Sequence, residues 1–323
     1  MATTTPAPDT GIPVGPGLSM FDPIFVGIDE FGQHVNITLA YRNLLAGGEP
    51  GGGKSGLLNT IAAHAALSVD SRLVLLDGKL VELGQWEDCA DAFIGPDITA
   101  ALDVLKRLQL VMNNRYAWLR AHGRRKVTAA DGLSVITVLI DEIAFYSATV
   151  GSKQEQEEFV ALLRDLVARG RAAGIPVVAA TQRPSFDIIP TSLRDLFGYR
   201  AAFRCTTPNS SNIVLGHGWA EQGYTATDIQ PTNQGAAYLI AEGGVPRRIK
   251  VAYLSDAQIA GIADYAAWIR RPRRLPALVP DLTRVELGTA AWPPANANTP
   301  APTTSGPRNT PSCGSSALPR TWP

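Results

Sequence analysis

The stretch Gly48-Glu49-Pro50-Gly51-Gly52-Gly53-Lys54-Ser55 restricts the fold more than any other part of the chain. It has the form G-x-x-x-x-G-K-[ST]. In such a loop successive backbone N–H groups make a concave anion site, and the helix that follows adds its positive end. Four glycines this close are costly to order unless something must approach the backbone. Lys54 can reach the β- and γ-phosphates of a nucleotide, and the Ser55 hydroxyl can hold Mg²⁺. The motif demands a strand before it and a helix after it. Residues 43–47 read as a short buried strand and residues 56–66 as a helix, so the context is met. Residues 48–56, Gly56 included, are therefore expected to cradle the phosphates of ATP with Mg²⁺. A flexible surface turn ending by chance in Lys-Ser does not account for strand, helix and spacing together.

The rest of the chain offers the sheet that such a loop needs. Residues 72–76 are an apolar run ending in Asp77-Gly78-Lys79, as in strands buried on both faces of a parallel sheet. Asp77-Gly78-Lys79 then sits at the carboxyl end of that strand, where ligands bind in open α/β sheets. A helix follows over 98–122, with Leu102, Leu105, Leu108, Val111 and Met112 as its core stripe. Arg124-Arg125-Lys126 reads as a solvated loop. Residues 134–140 are again apolar and end in Asp141-Glu142, the Walker B form. Asp141 at the strand tip can orient the Mg²⁺ shell, and Glu142 can polarise the attacking water as general base. Residues 154–173 form a helix with acids at its start, Arg169 and Arg171 at its end and Gly174 as its cap. A further buried strand over 175–181 leads to Gln182, which can hydrogen-bond a γ-phosphate or the lytic water. Strands over 199–205, 236–241 and 248–254 follow, with a short helix over 209–215. The alternation of strands and helices predicts an α/β fold with a mainly parallel sheet covered by helices on both faces. Residues 25–28 and 34–39, flanking Glu30-Phe31-Gly32, read as an N-terminal β-hairpin leading into the loop strand.

Composition sets the outer limits. The chain has 323 residues and no net charge, with 29 Lys+Arg against 29 Asp+Glu, so any nucleic-acid contact must be local or built by assembly. Three scattered cysteines, Cys89, Cys205 and Cys313, give neither a metal pattern nor a disulfide framework and suit a reducing compartment. The N-terminus lacks the basic and apolar regions of a signal peptide, and the apolar run at 135–140 is too short to span a bilayer. The expected location is the cytoplasm, with any membrane recruitment supplied by partners. Residues 1–26, with five prolines, and 271–323, which hold eleven of the 24 prolines from residue 272 on, are expected to be a disordered or loosely docked arm and a disordered tail. They would flank one nucleotide-binding domain over 27–270. Arg270, Arg271, Arg273 and Arg274 at the root of the tail are expected to be solvated.

Residues 168–185, Ala-Arg-Gly-Arg-Ala-Ala-Gly-Ile-Pro-Val-Val-Ala-Ala-Thr-Gln-Arg-Pro-Ser, strongly resemble the signature of FtsK/SpoIIIE-type DNA translocases. So do Gly27-Ile28-Asp29 with Gly32-Gln33, Asp77-Gly78-Lys79 with Glu82-Leu83, Arg115-Tyr116, Ala202-Phe203-Arg204 and Tyr253-Leu254-Ser255-Asp256. The likeness covers about 27–262. It implies a RecA-like P-loop NTPase that works as a ring, expected to be a hexamer, and pumps double-stranded DNA with ATP. It also implies an arginine supplied by the neighbouring subunit. Arg200 matches that position, with Arg171 and Arg204 as rivals; such a residue places positive charge on the developing transition state only once the ring is assembled. Arg247 and Arg248 match a DNA-facing loop, whereas Asn212 falls where the family often has an arginine.

The sequence shows no membrane-spanning N-terminal region and no C-terminal winged-helix module. That short form resembles single-motor transfer proteins of actinobacterial plasmids and integrative elements, with membrane-bound transfer proteins as partners. The expected function is ATP-driven movement of double-stranded DNA, for conjugal transfer or for chromosome segregation. The engine of a protein-secretion system of type VII kind is the alternative, since such engines share this motor domain. A transporter ATPase is excluded by the absence of Leu-Ser-Gly-Gly-Gln, and Glu142 and Gln182 argue against a nucleotide-binding module without turnover.

Overall fold

The apolar runs between the loops become the strands of a single mixed sheet in the computed structural model of the chain, which describes residues 17–241 and 243–270. In chain order the elements are β1 (Ile24–Asp29), β2 (His34–Ile37), β3 (Leu44–Gly47), α1 (Lys54–Leu67), β4 (Ser71–Leu76), β5 (Ala92–Ile94), α2 (Ile98–Ala121), β6 (Val135–Ile140), α3 (Lys153–Arg169), β7 (Val177–Thr181), α4 (Thr191–Arg194), β8 (Tyr199–Phe203), α5 (Pro208–Leu215), β9 (Ala236–Ala241), β10 (Arg247–Val251) and α6 (Asp256–Arg270). The strand order is β2-β1-β10-β9-β8-β3-β7-β6-β4-β5. From β8 to β5 every pairing is parallel; β9, β10, β1 and β2 extend the β8 side antiparallel.

The parallel strands are mostly apolar because both of their faces are covered. Side chains alternate along each strand. Leu73 and Leu75 of β4, with Val178 and Ala180 of β7, face the core under α1 and α6. Val74, Leu76, Val177 and Ala179 face the core under α2 and α3. A third cluster, built on Ala202, Val214, Ala236 and Ile240, fills the other face where β8 and β9 meet. No helix among the described residues is long and apolar enough to cross a membrane.

The hairpin β1–β2 forms as expected, and it pairs with β10 at one edge of the sheet. The three-residue strand β5 and the 3-10 turn Gly84–Cys89 before it lie in a stretch to which the sequence assigned no element. Two expectations change. Helix α3 stops at Arg169, with Gly170 as its cap; Gly174, at φ +70°, closes a separate turn after it. Arg270 is buried, not solvated. It donates to the carbonyls of Ala65 and Ala66 at the end of α1 (2.8 and 2.9 Å) and pairs with Asp91 at 3.2 Å. Within the expected arm, residues 17–23 are docked: Met20 is fully buried, and the Ser19 hydroxyl and Met20 N–H both donate to Asp70. Residues 1–16 of the arm, the tail 271–323 and Cys313 lie outside the described residues.

Candidate nucleotide site

The loop between β3 and α1 folds as an anion cradle because its backbone takes shapes that side chains would obstruct. Gly53, at the N-terminus of α1, has φ +102°, and a Cβ there would lie 2.4 Å from the backbone of Gly235. Gly48, at φ +146°, would place a Cβ 2.8 Å from Phe203. The loop is tied to its neighbours by Glu49 N–H donating to Arg204 O at 2.9 Å, by Gly235 N–H donating to Gly52 O at 2.9 Å, and by the Glu49–Arg204 ion pair at 3.1 Å. Pro50, Gly51, Gly53, Lys54, Ser55 and Gly56 border a cavity of about 680 Å³. Lys54 folds back on the cradle, donating to the carbonyls of Gly48 (2.6 Å) and Glu49 (2.8 Å). Burial lowers its pKa to about 8.

The carboxyl ends of β4, β6 and β7 complete the cavity. Asp141, at the tip of β6, is 4 % exposed, and its Oδ2 accepts no hydrogen bond; the Lys79 ammonium is 3.9 Å away. Desolvation, reinforced by Glu82 and Asp77, pushes its pKa up to about 7. The Ser55 hydroxyl donates to Glu82 at 2.6 Å. A hydroxyl and an orphaned buried carboxylate beside a phosphate cradle are the hard oxygen donors that suit Mg²⁺. Glu142, also buried, is held on three sides. Thr181 Oγ1 and the Gln182 N–H each donate to it at 2.7 Å, and the Ala144 N–H donates at 3.1 Å. Gln182 borders the cavity, as does Lys79. Asp77 accepts four backbone N–H groups, from Lys79, Leu80, Glu82 and Leu83, and so fixes the loop that presents Lys79 and Glu82.

The other expected residues stand apart from this cavity. Arg200 projects from β8 on the face away from α1, near Gly216, with its Nε buried and unpartnered; burial lowers its pKa. Of its rivals, Arg204 is engaged by Glu49 of the same loop. The other rival, Arg171, is half-buried in the turn after α3, and its neighbour Arg169 pairs with Asp165. Arg247 pairs with Asp29 of the hairpin, and Arg248 lies next to it on β10. Asn212 is buried and accepts the Ala220 N–H, so it presents nothing to a partner. Sequence reasoning assigned no role to Thr181, Lys79 or Glu82. The signal for the last two was Asp77-Gly78-Lys79 at a strand's carboxyl end; for Thr181 it was only adjacency to Gln182.

Curated relatives match the chain in sequence, and solved structures match it in fold. The chain is 32 % identical over 265 residues to the DNA translocase FtsK of Treponema pallidum (strain Nichols), an alignment covering 76 % of this chain and 32 % of that protein. It is 28 % identical over 280 residues to the DNA translocase FtsK of Haemophilus influenzae, covering 75 % and 51 %. The chain thus spans between a third and a half of these curated relatives. The pCW3 conjugation coupling protein TcpA, solved as a monomer with ATPγS, has a similar fold: TM-score 0.66, 22 % identity, 84 % of this chain and 75 % of that one. So does the cytoplasmic domain of the type VII secretion ATPase EccC of Thermomonospora curvata: TM-score 0.60, 20 % identity, 77 % and 31 %. The model of the FtsK/SpoIIIE family matches residues 19–216, which take in the phosphate loop, β6 and the Thr181-Gln182 turn, and the chain is therefore a P-loop ATPase of the FtsK/SpoIIIE family.

Proposed function

We propose that the chain hydrolyses ATP to drive double-stranded DNA along its axis, in the service of conjugal transfer of a plasmid or integrative element. One observation carries the reading. A phosphate cradle, an orphaned carboxylate and, next to it in sequence, a held glutamate stand at the carboxyl ends of neighbouring parallel strands in a chain whose curated relatives are named DNA translocases. Lys54 and the backbone of residues 48–56 hold the phosphates. Ser55 and Asp141 hold Mg²⁺, which offsets charge on the β- and γ-phosphates. Glu142 takes the proton of the attacking water, and Gln182 positions that water or the γ-phosphate. The likeness to a conjugation coupling protein supports the transfer role over chromosome segregation. The working form is a hexameric ring in the cytoplasm, brought to the membrane by transfer partners, with Arg247 and Arg248 gripping phosphates without regard to sequence.

The likeness to EccC supports a second reading, the ATPase engine of a protein-secretion system. Steady-state ATPase assays separate the two. The DNA reading expects turnover to rise with linear duplex DNA and less with single strands, and to vanish in Lys54→Ala. Stimulation by a secretion-signal peptide, with none by duplex DNA, would sink the first reading in favour of the second.

A further inference from the structure

One aromatic side chain on the rim of the cavity has no work within the fold. Tyr253 is 79 % exposed, yet it borders the same cavity as the phosphate loop and Asp141. The cavity has two ends. In the sheet order Lys79, Glu82, Asp141 and Gln182 lie at the tips of β4, β6 and β7, to one side of β3, and Gln234, Gly235 and the run from Lys250 to Tyr253 lie by β9 and β10, to the other. A nucleotide whose phosphates lie on the cradle with the γ-phosphate toward Asp141 has its base at the second end, across the first turn of α1. There a flat, solvent-facing ring is ready to take it.

The ring is held at that place by the backbone on both sides. Val251 N–H donates to Gly235 O at 2.9 Å, and Gly235 N–H donates to Gly52 O at 2.9 Å, so the rim and the cradle are directly bonded. Ala252 N–H donates to Val26 O at 2.9 Å, and its own carbonyl lies 3.4 Å from where a Cβ on Gly56 would stand. After Tyr253, Ser255 accepts the Gln258 N–H and α6 packs onto the core through Ile259. The antiparallel strands β9 and β10 therefore position a platform beside the parallel half that binds phosphate. An exposed tyrosine on a fixed backbone presents a π-face at small entropic cost, and bases stack on such faces with little regard to which base it is.

We propose that Tyr253 is the base platform of the nucleotide site, stacking on the purine of the bound triphosphate. The inference rests on the reading of the cavity as a nucleotide site. Binding of two probes to the full chain tests it by calorimetry with Mg²⁺: ATPγS, and inorganic tripolyphosphate, which lacks base and sugar. Loss of one stacked base corresponds to about a tenfold weakening. Tyr253→Ala should therefore bind ATPγS about tenfold more weakly with tripolyphosphate unaffected, while Tyr253→Phe and Tyr253→Trp stay close to the parent. An unchanged ATPγS affinity in Tyr253→Ala overturns the platform. So does an equal loss for both probes, because the defect then lies in the cradle. A parent chain that binds neither probe overturns the nucleotide site and the platform with it, whereas a parent that binds ATPγS well beside an indifferent alanine variant removes the platform alone.

Discussion

At the scale of single residues, burial at the cavity sets the charge state of individual groups. Asp141 is the clearest case, with a pKa near 7 set by burial and by neighbouring carboxylates. A folded-state pKa above the unfolded value means that stability is fully present below about 4 and is lost as pH rises through about 7. Asp141→Asn mimics the protonated form. It should stabilise the ligand-free protein above pH 7 by on the order of 2 kcal/mol, with the gain shrinking as pH falls toward 4. Thermal melts of the two proteins across that range check it, and a gain independent of pH would count against the assigned cause. Glu142 shows the opposite arrangement, a carboxylate supplied with donors. If Thr181 aims it at the water, Thr181→Val should lower DNA-stimulated turnover about tenfold and Thr181→Ser should restore it, against a loss of about 100-fold or more in Glu142→Gln. Equal turnover in all the Thr181 variants would leave that hydroxyl a purely structural bond.

At the scale of elements, the parallel half was legible because each of its strands declares itself. Residues 73–76, 138–140 and 177–180 are apolar without interruption, as strands covered on both faces sustain. The candidate site was legible for the same reason, since its motifs sit on the tips of those strands. What the sequence hid depends on distant partners. Strand β5 has three half-buried residues and only β4 to pair with, too short for any periodicity to register. The hairpin could be recognised, but its place beside β10 could not, because pairing there joins residues more than 200 positions apart. Arg270 misled most. Followed by a Pro-rich segment it looked solvated, yet its partners are carbonyls at the end of α1 and the side chain of Asp91. It fastens α6, and with it the approach to the rim of the cavity, onto α1. Arg270→Ala strands those carbonyls in the core. It should cost about 3 kcal/mol, or roughly 10 °C in Tm for a domain of this size. A melt within a degree or two of the parent would show that water replaces the guanidinium without penalty.

At the scale of the whole molecule, one copy of the chain holds most of an ATP site, and the cations around it among the described residues are already engaged. Lys54 belongs to the cradle, Lys79 faces Asp141, Lys250 donates to Asn233 and to the Gln234 carbonyl, and Arg204 is paired with Glu49. Arg200 cannot serve its own cavity. It lies four residues before the β8 tip pinned to the phosphate loop, and it is not among the cavity's lining residues. Its Nε is buried and unpartnered, so the side chain bears a desolvation cost that its own subunit does not repay with hydrogen bonds. Those facts suit a residue whose partner is on another copy, and they make the ring testable without seeing it. Arginines supplied across an interface contribute about 10³- to 10⁵-fold in turnover. Arg200→Ala and Lys54→Ala should therefore each be nearly inactive alone, for different reasons. One keeps the cradle and lacks the finger; the other keeps the finger and lacks the cradle. When the two are mixed, an interface that takes its cradle from the first and its arginine from the second is complete, so DNA-stimulated activity should return in part and peak at an intermediate ratio. A mixture as inactive as its components would assign Arg200 to the packing around α5 and leave the site without a donor from the neighbouring copy.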